Sequence, residues 1–248
     1  MMIREFDNVL LATLRNARHV AVLTGAGVSA ESGIPTFRDA QTGLWARFRA
    51  EDLATPEAFE RDPKLVWDWY AWRREIVAKA APNAGHAALA RLAGLVPRLT
   101  LVTQNVDGLH QQAGSRDVIE LHGNIHRSKC ARENLVIDSW QDVRDSPPRC
   151  PRCGALLRPD VVWFGEMLPA AALEQAEAAA HSCDVFLSVG TSAAVYPAAH
   201  LPLTARDAGA TVVEVNKDPT RISGAVTYSL RGASGEILPR LFAVAWPM

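Results

Sequence analysis

The sequence predicts an α/β fold, a doubly wound parallel sheet carrying a smaller lobe. Three observations lead there. Short apolar runs rich in Val, Leu and Thr alternate with helical stretches. The first run ends in a glycine turn, Gly25-Ala26-Gly27. Two segments, about residues 34–82 and 125–160, interrupt the alternation and read as insertions. With 248 residues, 48% hydrophobic and 21% charged, the chain can bury a large core.

Taken in order, residues 1–20 mix acids with apolar positions and lack a small-residue cleavage site, so they read as an amphipathic helix and not a signal peptide. Strands are expected at His19–Thr24, Leu99–Thr103, Val118–Leu121, Val185–Val189, Thr211–Val215 and Val226–Leu230, since strands buried on both faces need continuous apolar runs. Helices are expected at Ala84–Ala93, Ala170–His181, Tyr196–Ala208 and Ser234–Ala245. The first insertion contains one strong helix, opened by Asp62 as cap with Pro63 in its first turn. The second holds three of the four cysteines, two adjacent prolines and no extended periodicity. Residues 1–34, 83–124 and 161–248 are thus expected to form a Rossmann-like domain. Residues 35–82, helical, and 125–160, zinc-ribbon-like, would form the small lobe, with a ligand cleft at the junction.

A net charge of −1 with no long basic run gives no electrostatic footprint for nucleic acid or an anionic membrane. No apolar run reaches the roughly 20 residues of a membrane span. Four cysteines, two in a C-x-x-C pair, suit a reduced compartment, and a cytoplasmic protein is expected.

Gly25 and Gly27, with Ala30, fit G-x-G-x-x-G/A: a tight turn, close backbone approach, and a helix start whose N–H groups suit a pyrophosphate. An ordinary dinucleotide unit would continue to a second strand and, about 20 residues on, an acid for the adenosine ribose. Here Ser32-Gly33-Ile34-Pro35 is loop chemistry, and Phe37-Arg38-Asp39 sets a ring, a cation and an anion on that loop. The bland reading of Arg38 is a solvated loop charge.

Gln104, Asn105 and Asp107 follow a strand, where an α/β sheet meets its ligand; they equally suit a local turn or helix cap. His122 ends the next strand beside Gly123 and is the candidate general base, in competition with His110, His126 and His181. Gly190-Thr191-Ser192, Asn216-Lys217-Asp218 and Gly232-Ala233-Ser234 follow later strands and would reach the same crevice edge. Cys150-Pro151-Arg152-Cys153-Gly154 is half a zinc knuckle. Its expected partner pair is instead Cys130-Ala131-Arg132-Glu133, so Cys₃Glu, Cys₃ plus water and no metal are all open. Cys183 reads as a small buried apolar residue. On the inserted helix, Leu65, Trp69, Trp72 and Ile76 form one stripe and Val66, Tyr70, Arg73 and Val77 another; Arg73 either snorkels or awaits an anion beside Tyr70.

These motifs in this order, GAGVSAESGIPTFR, TQNVDGLH, LHG, C-x-x-C, VVWFGE, GTS and a late Asn, resemble the sirtuins, NAD-dependent protein-lysine deacylases, over essentially the whole chain. The resemblance is closest to the class preferring succinyl, malonyl and glutaryl groups, marked by Y-x-x-R at Tyr70 and Arg73 and by Ala54 in A-T-P-E. It implies an NAD-binding set of Gly25, Ala26, Gly27, Ser29, Glu31, Thr36, Phe37, Arg38, Trp45, Gln104, Asn105, Asp107, Gly190, Thr191, Ser192, Asn216, Lys217, Asp218 and Ala233. Asn105, Asp107 and His122 would be catalytic, His122 as base on a ribose hydroxyl. Ala54, Tyr70, Arg73 and the run Val162, Trp163, Phe164, Gly165 and Glu166 would meet the acyl-lysine peptide, the last five as an added strand. Cys130, Cys150 and Cys153 would hold zinc, with Glu133 or water fourth. The competing readings are an NAD or ADP-ribose sensor without turnover and an NAD-dependent dehydrogenase.

Overall fold

The computed structural model describes residues 6–35, 48–137 and 146–247. Helix α1, Asn8–Asn16, opens on the Asp7 carboxylate, which accepts from the N–H groups of Val9 and Leu10, and it buries Leu10, Leu11 and Leu14. Strand β1, His19–Thr24, is buried throughout and runs into α2, Ala26–Ala30. The first insertion supplies α3, Ala50–Leu53, α4, Pro56–Arg61, and α5, Pro63–Lys79; then follow α6, Ala84–Leu92, β2, Arg98–Thr103, α7, Leu109–Gln112, and β3, Ile119–Glu120. Three strands come next: β4, Gly123–Cys130, β5, Val136–Ile137, and β6, Leu157–Val161. The chain returns through α8, Ala170–Ser182, β7, Val185–Val189, a 3-10 turn at Ala198–His200, α9, Leu201–Asp207, β8, Thr211–Asn216, β9, Tyr228–Arg231, and α10, Ser234–Ala245.

The main sheet runs β3-β2-β1-β7-β8-β9, every neighbouring pair parallel. Numbered within that sheet the order is 3-2-1-4-5-6, the doubly wound Rossmann order, and it reverses between β1 and β7. Alternation along β1 divides its side chains between two cores. Val20 and Val22 join α1, α6 and α10 through Leu10, Leu14, Leu89, Leu92, Leu238 and Leu241. Ala21 and Leu23 join α8 and α9 through Ala176, Ala179, Leu201 and Ala205. Covering both faces is what makes these strands continuous apolar runs in the sequence.

Departures from the expected elements have local causes. Tyr196–Ala208 is not one helix: Pro202, in the first turn of α9, has no N–H to continue the preceding turn, so the run divides into a 3-10 turn and a seven-residue helix. The edge strands β3 and β9 are shorter or shifted, covering Ile119–Glu120 and Tyr228–Arg231. The second insertion is an antiparallel sheet, β5-β4-β6. Its period is hidden because the β4–β6 register shifts between Asn124 and Ser128, giving a burial pattern of three buried, two exposed and three buried positions. At the junction of the two sheets Gly123 has φ +79°, and a Cβ there would lie 2.1 Å from the Asp160 carbonyl oxygen, so glycine alone permits the pairing with β6.

In α5, Asp62 caps Leu65 N–H at 3.0 Å as expected. Its buried face is Val66, Trp69, Tyr70 and Val77, the second predicted stripe with Trp69 added and Arg73 only half-buried. Trp67 lies outside both stripes and packs on Cys130 and Cys150. Among the described residues no helix is long and apolar enough to cross a membrane.

Candidate active site

Strand register places the polar turns together. Thr24 pairs with Thr103 and with Val189, Val189 with Val215, and Asn216 with Arg231, so the glycine turn and the three later turns emerge at one edge of the sheet. At the switch point Gly25 N–H donates to Val189 O (3.1 Å) and Gly27 N–H to Gly190 O (2.8 Å). A Cβ on Gly27 would lie 2.7 Å from that same oxygen, so these glycines are required first by the approach of two loops to each other. Ala26 stays exposed above them while Ser29 is buried below. Gly33 and its neighbours end α2 after five residues, as the loop chemistry predicts. Thr36, Phe37, Arg38 and Trp45 lie outside the described residues.

Below that turn a buried network fixes its own proton positions. Asn83 N–H donates to His86 Nδ1 (3.3 Å), so His86 carries its proton on Nε2 and donates toward Ser29 Oγ (3.4 Å). Ser29 in turn donates to Asp107 Oδ2 (2.7 Å) and accepts from Asn105 Nδ2 (3.0 Å), which also donates to Gly25 O (3.1 Å). Asp107 Oδ1 accepts from Leu109 N–H (2.9 Å), so this carboxylate, 5% exposed, orders the loop that carries Asn105. Gln104 Nε2 donates to Thr191 Oγ1 (3.0 Å) and Asn216 Nδ2 to Thr191 O (3.4 Å), tying three strand ends together. Ser192 is half-buried and Lys217 and Asp218 are exposed beside them. Glu31 reaches α10, where its Oε1 accepts from Ser234 Oγ and Gly235 N–H, both 3.0 Å, and caps the helix next to buried Ala233.

The four candidate histidines separate on geometry. His122 Nδ1 lies 2.8 Å from Gln104 O, an atom that only accepts, so Nδ1 holds the proton and Nε2 keeps its lone pair. Burial pushes the pKa of His122 below its ordinary value of 6.5, against a smaller upward pull from that hydrogen bond, so the ring is neutral and basic near pH 7. His126 Nε2 is occupied with Asp107 O (3.1 Å). His110 is buried against Thr24 Oγ1 (2.9 Å), and burial followed by the adjacent His86 pushes it down to about 3. His181 is exposed on α8.

The small lobe meets this edge through the turn after β6. Val162 N–H donates to His122 O (3.0 Å) and Phe164 N–H to Ala54 O (2.9 Å). Glu166 closes the turn: its N–H donates to Trp163 O (3.0 Å), and its Oε2 accepts from Trp163 N–H (2.8 Å) and Arg158 (2.8 Å). The run from Val162 to Glu166 is therefore a turn with four of its N–H groups already used, not a free strand edge; an added peptide would have its carbonyls and Gly165 N–H. Phe164 and Met167 are exposed there. Behind them Trp163 Nε1–H donates to Tyr70 Oη (2.9 Å), and Arg158 stacks on the Trp163 ring at 3.3 Å. Tyr70 is fully buried, and burial pushes its pKa up to about 12 against the nearby Arg73, so it stays a neutral phenol. Arg73, half-buried one turn on, lies over Trp69 at 5.1 Å, and Ala54 is buried in the same cluster.

Cys130, Glu133, Cys150 and Cys153 bring their ligand atoms within 4.8 Å of one another, with Cys130 Sγ and Cys153 Sγ 3.4 Å apart. A tetrahedral ion with bonds of about 2.3 Å to sulfur holds its donors about 3.8 Å apart, so the set fits zinc. Cys183 lies elsewhere, buried, its thiol pushed up to about 11 by burial. Sequence reading missed His86, Asn83, Thr24 and Arg158. The signal for the first two was the Asn83 to His86 capping pair.

A doubly wound sheet with glycines at its switch point, an oriented neutral histidine at a neighbouring strand end and an inserted lobe bearing a knuckle of cysteines define an α/β protein with its polar groups gathered at one sheet edge. The comparisons specify it further: the Sir2 family model matches residues 25–197, and the chain belongs to the Sir2 family. It is 54% identical over 245 residues to the NAD-dependent protein deacylase of Methylococcus capsulatus, covering 96% of each chain. With NAD-dependent protein deacylase 1 of Pseudomonas aeruginosa it shares 53% over 242 residues, 94% of this chain and 97% of that one. Among solved structures, a Sir2 homologue in complex with NAD superposes with a TM-score of 0.88 at 47% identity, over 97% of this chain and 94% of that one. A Sir2 complex with a p53 peptide and NAD+ superposes at 0.82 and 32% identity, over 96% and 97%.

Proposed function

We propose that this chain is an NAD-dependent protein-lysine deacylase that removes acidic acyl groups, succinyl and malonyl, and also acetyl, releasing the lysine, nicotinamide and O-acyl-ADP-ribose. The observation that carries the reading is His122, held through Nδ1 on Gln104 O with its Nε2 lone pair intact at the edge where the switch-point turns converge. The relatives' names and the NAD and peptide complexes of Sir2 homologues support the same reading.

The residues present fit a dinucleotide: exposed Ala26 and half-buried Gly27 lie at the switch point, with Gln104, Asn105 and Asn216 at the same edge. NAD, when bound, supplies a glycosidic bond whose cleavage frees nicotinamide and leaves the ribose carbon to the acyl oxygen. Asn105, its amide nitrogen committed to Gly25 O and Ser29 Oγ, presents Oδ1 in a fixed orientation as an acceptor. Ser29, Asp107 and His86 hold it there. His122 takes a proton from a ribose hydroxyl at Nε2, and its Nδ1–H on the Gln104 carbonyl stabilises the ring as charge arrives. Tyr70, kept neutral and aimed by Trp163, donates a hydrogen bond to the acyl carboxylate, and Arg73 supplies the charge. Ala54 leaves volume for the longer chain. Cys130, Cys150 and Cys153 would hold a zinc ion whose role would be structural, shaping the lobe.

Mass spectrometry of succinyl-, malonyl- and acetyl-lysine peptides incubated with NAD tests this. Acyl loss coupled to nicotinamide release is expected for all three. NAD binding without either product would instead mean a sensor, and formation of NADH a dehydrogenase.

A further inference from the structure

Given zinc in the cysteine cluster, as proposed above, we infer that Glu133 is its fourth ligand, making a closed Cys₃Glu site whose carboxylate is held in place by Arg152. The turn after β4 delivers it. Asn134 N–H donates to Cys130 O (2.9 Å) with Asn134 at φ +54°, which folds the chain back so that Glu133 N–H points at Cys130 Sγ (3.4 Å). The Glu133 carboxylate thereby comes within 4.8 Å of all three sulfurs. On the opposite loop, Arg152 sits between the two cysteines of the C-x-x-C pair and its Nε lies 3.3 Å from Glu133 Oε2. That contact occupies one carboxylate oxygen and leaves the other to the metal, the arrangement in which a ligating carboxylate is oriented by a neighbour outside the coordination sphere. Three thiolates and a carboxylate around a divalent ion carry a net negative charge, which the Arg152 guanidinium offsets.

The donor set has a consequence for metal retention. Zinc accepts carboxylate oxygen, but exchanging a soft thiolate for a hard oxygen weakens the hold on a borderline-soft ion. Glu133 is the exposed member of the set, whereas Cys130 and Cys150 are buried, so the carboxylate is the side from which a chelator or a competing ion enters. The site therefore fills and empties faster than a four-thiolate knuckle would.

Metal content, cobalt(II) substitution and chelator competition on the full chain test this without measuring deacylation. One zinc per wild-type chain is expected. Glu133→Ala should keep the thiolate-to-cobalt charge-transfer bands, shift the ligand-field bands, and lose zinc to a chelator at least about tenfold faster, the lower end of the effect of residues one bond further from a metal. Glu133→Cys should show four-thiolate bands and release zinc more slowly than wild type. Glu133→Leu serves as a second variant without a donor atom if the alanine chain fails to fold. Wild-type bands and wild-type zinc loss in Glu133→Ala or Glu133→Leu would overturn the assignment and leave water as the fourth ligand. A wild-type chain that neither purifies with zinc nor takes up cobalt(II) would overturn the zinc reading itself, whatever its deacylase activity.

Discussion

The sheet domain buries aliphatic side chains, Val20, Val22, Leu89, Leu187 and Val213 among them, between two layers of helices, and its polar groups stand at one edge. The small lobe, with the turn after β6 packed on it, buries aromatic rings and cations instead: Trp69 against Tyr70 at 4.6 Å, Phe59 against Trp163 at 5.3 Å, Arg158 on Trp163, and Arg74 over Trp67 at 4.9 Å. Apolar burial is non-directional, so the sheet domain positions its edge residues through backbone register, which few side-chain changes disturb. Contacts of rings, guanidinium groups and phenols are directional, so single side chains of the small lobe set what it accepts. In this reading the sheet edge performs the chemistry on NAD and the small lobe chooses the acyl group.

Changes at the sheet edge should act on turnover irrespective of acyl group. His122→Asn is expected to lower kcat about 10²- to 10⁴-fold, the usual contribution of a general base, for succinyl and acetyl peptides alike. NAD affinity by calorimetry should be retained, and a selective loss on one peptide would break the division of labour. Glu214 offers a subtler test. It is 1% exposed in β8, and its carboxylate accepts from Thr220, from Ser223 Oγ (2.7 Å) and Ser229 Oγ (2.5 Å), and pairs with Arg231 (3.0 Å). Burial works to raise its pKa, but these donors outweigh it and hold the carboxyl below its ordinary value, so it is ionised. Glu214→Gln should cost about 1.5–3 kcal/mol in denaturant unfolding, the worth of hydrogen bonds to a charged group, and raise KM for NAD through the loop bearing Lys217 and Asp218.

Where the turn after β6 packs on the small lobe, Trp163→Phe removes the donor to Tyr70 Oη and keeps an aromatic ring. The expected cost is about 1 kcal/mol, read as a roughly fivefold rise in KM for succinyl peptide with little change for acetyl. Equal rises for both would make Tyr70 a packing residue only. The smallest effect is one of position on the pH axis. Because burial lowers the pKa of His122, the neutral base persists below pH 6.5, and activity is lost only as pH falls through that depressed value. The acid limb of kcat/KM should therefore lie below 6.5, and a limb above it would point to a different group.

The two regions also differed in how far the sequence revealed them. Strands such as His19–Thr24 and Val185–Val189 were legible to the residue because both faces are covered and, His19 apart, every position is apolar or small. The antiparallel sheet of the small lobe was not. Its pairing shifts within β4, β5 has two residues, and Arg158 and Lys129 are buried through ion pairs and stacking that no hydropathy pattern displays. At the site, motif order pointed to Gln104, Asn105, Asp107 and His122, whose proximity the strand register then explains. The structural roles of Asp107, Glu31 and Glu166, each occupied with backbone N–H groups, follow from partners distant in sequence or from a turn that reads as a strand. Phe37 and Arg38 lie outside the described residues, so their place near NAD stays a proposal carried by the motif alone.

Arg73→Met tests the division between the lobes most directly, because it removes the cation while leaving the sheet edge and His122 untouched. With kcat/KM measured side by side on succinyl- and acetyl-lysine peptides of one sequence, desuccinylation should fall by at least about tenfold, as loss of a charged hydrogen bond worth about 1.5–3 kcal/mol implies, while deacetylation stays within about threefold. Equal falls on both peptides would contradict the account and make Arg73 a structural residue of the lobe.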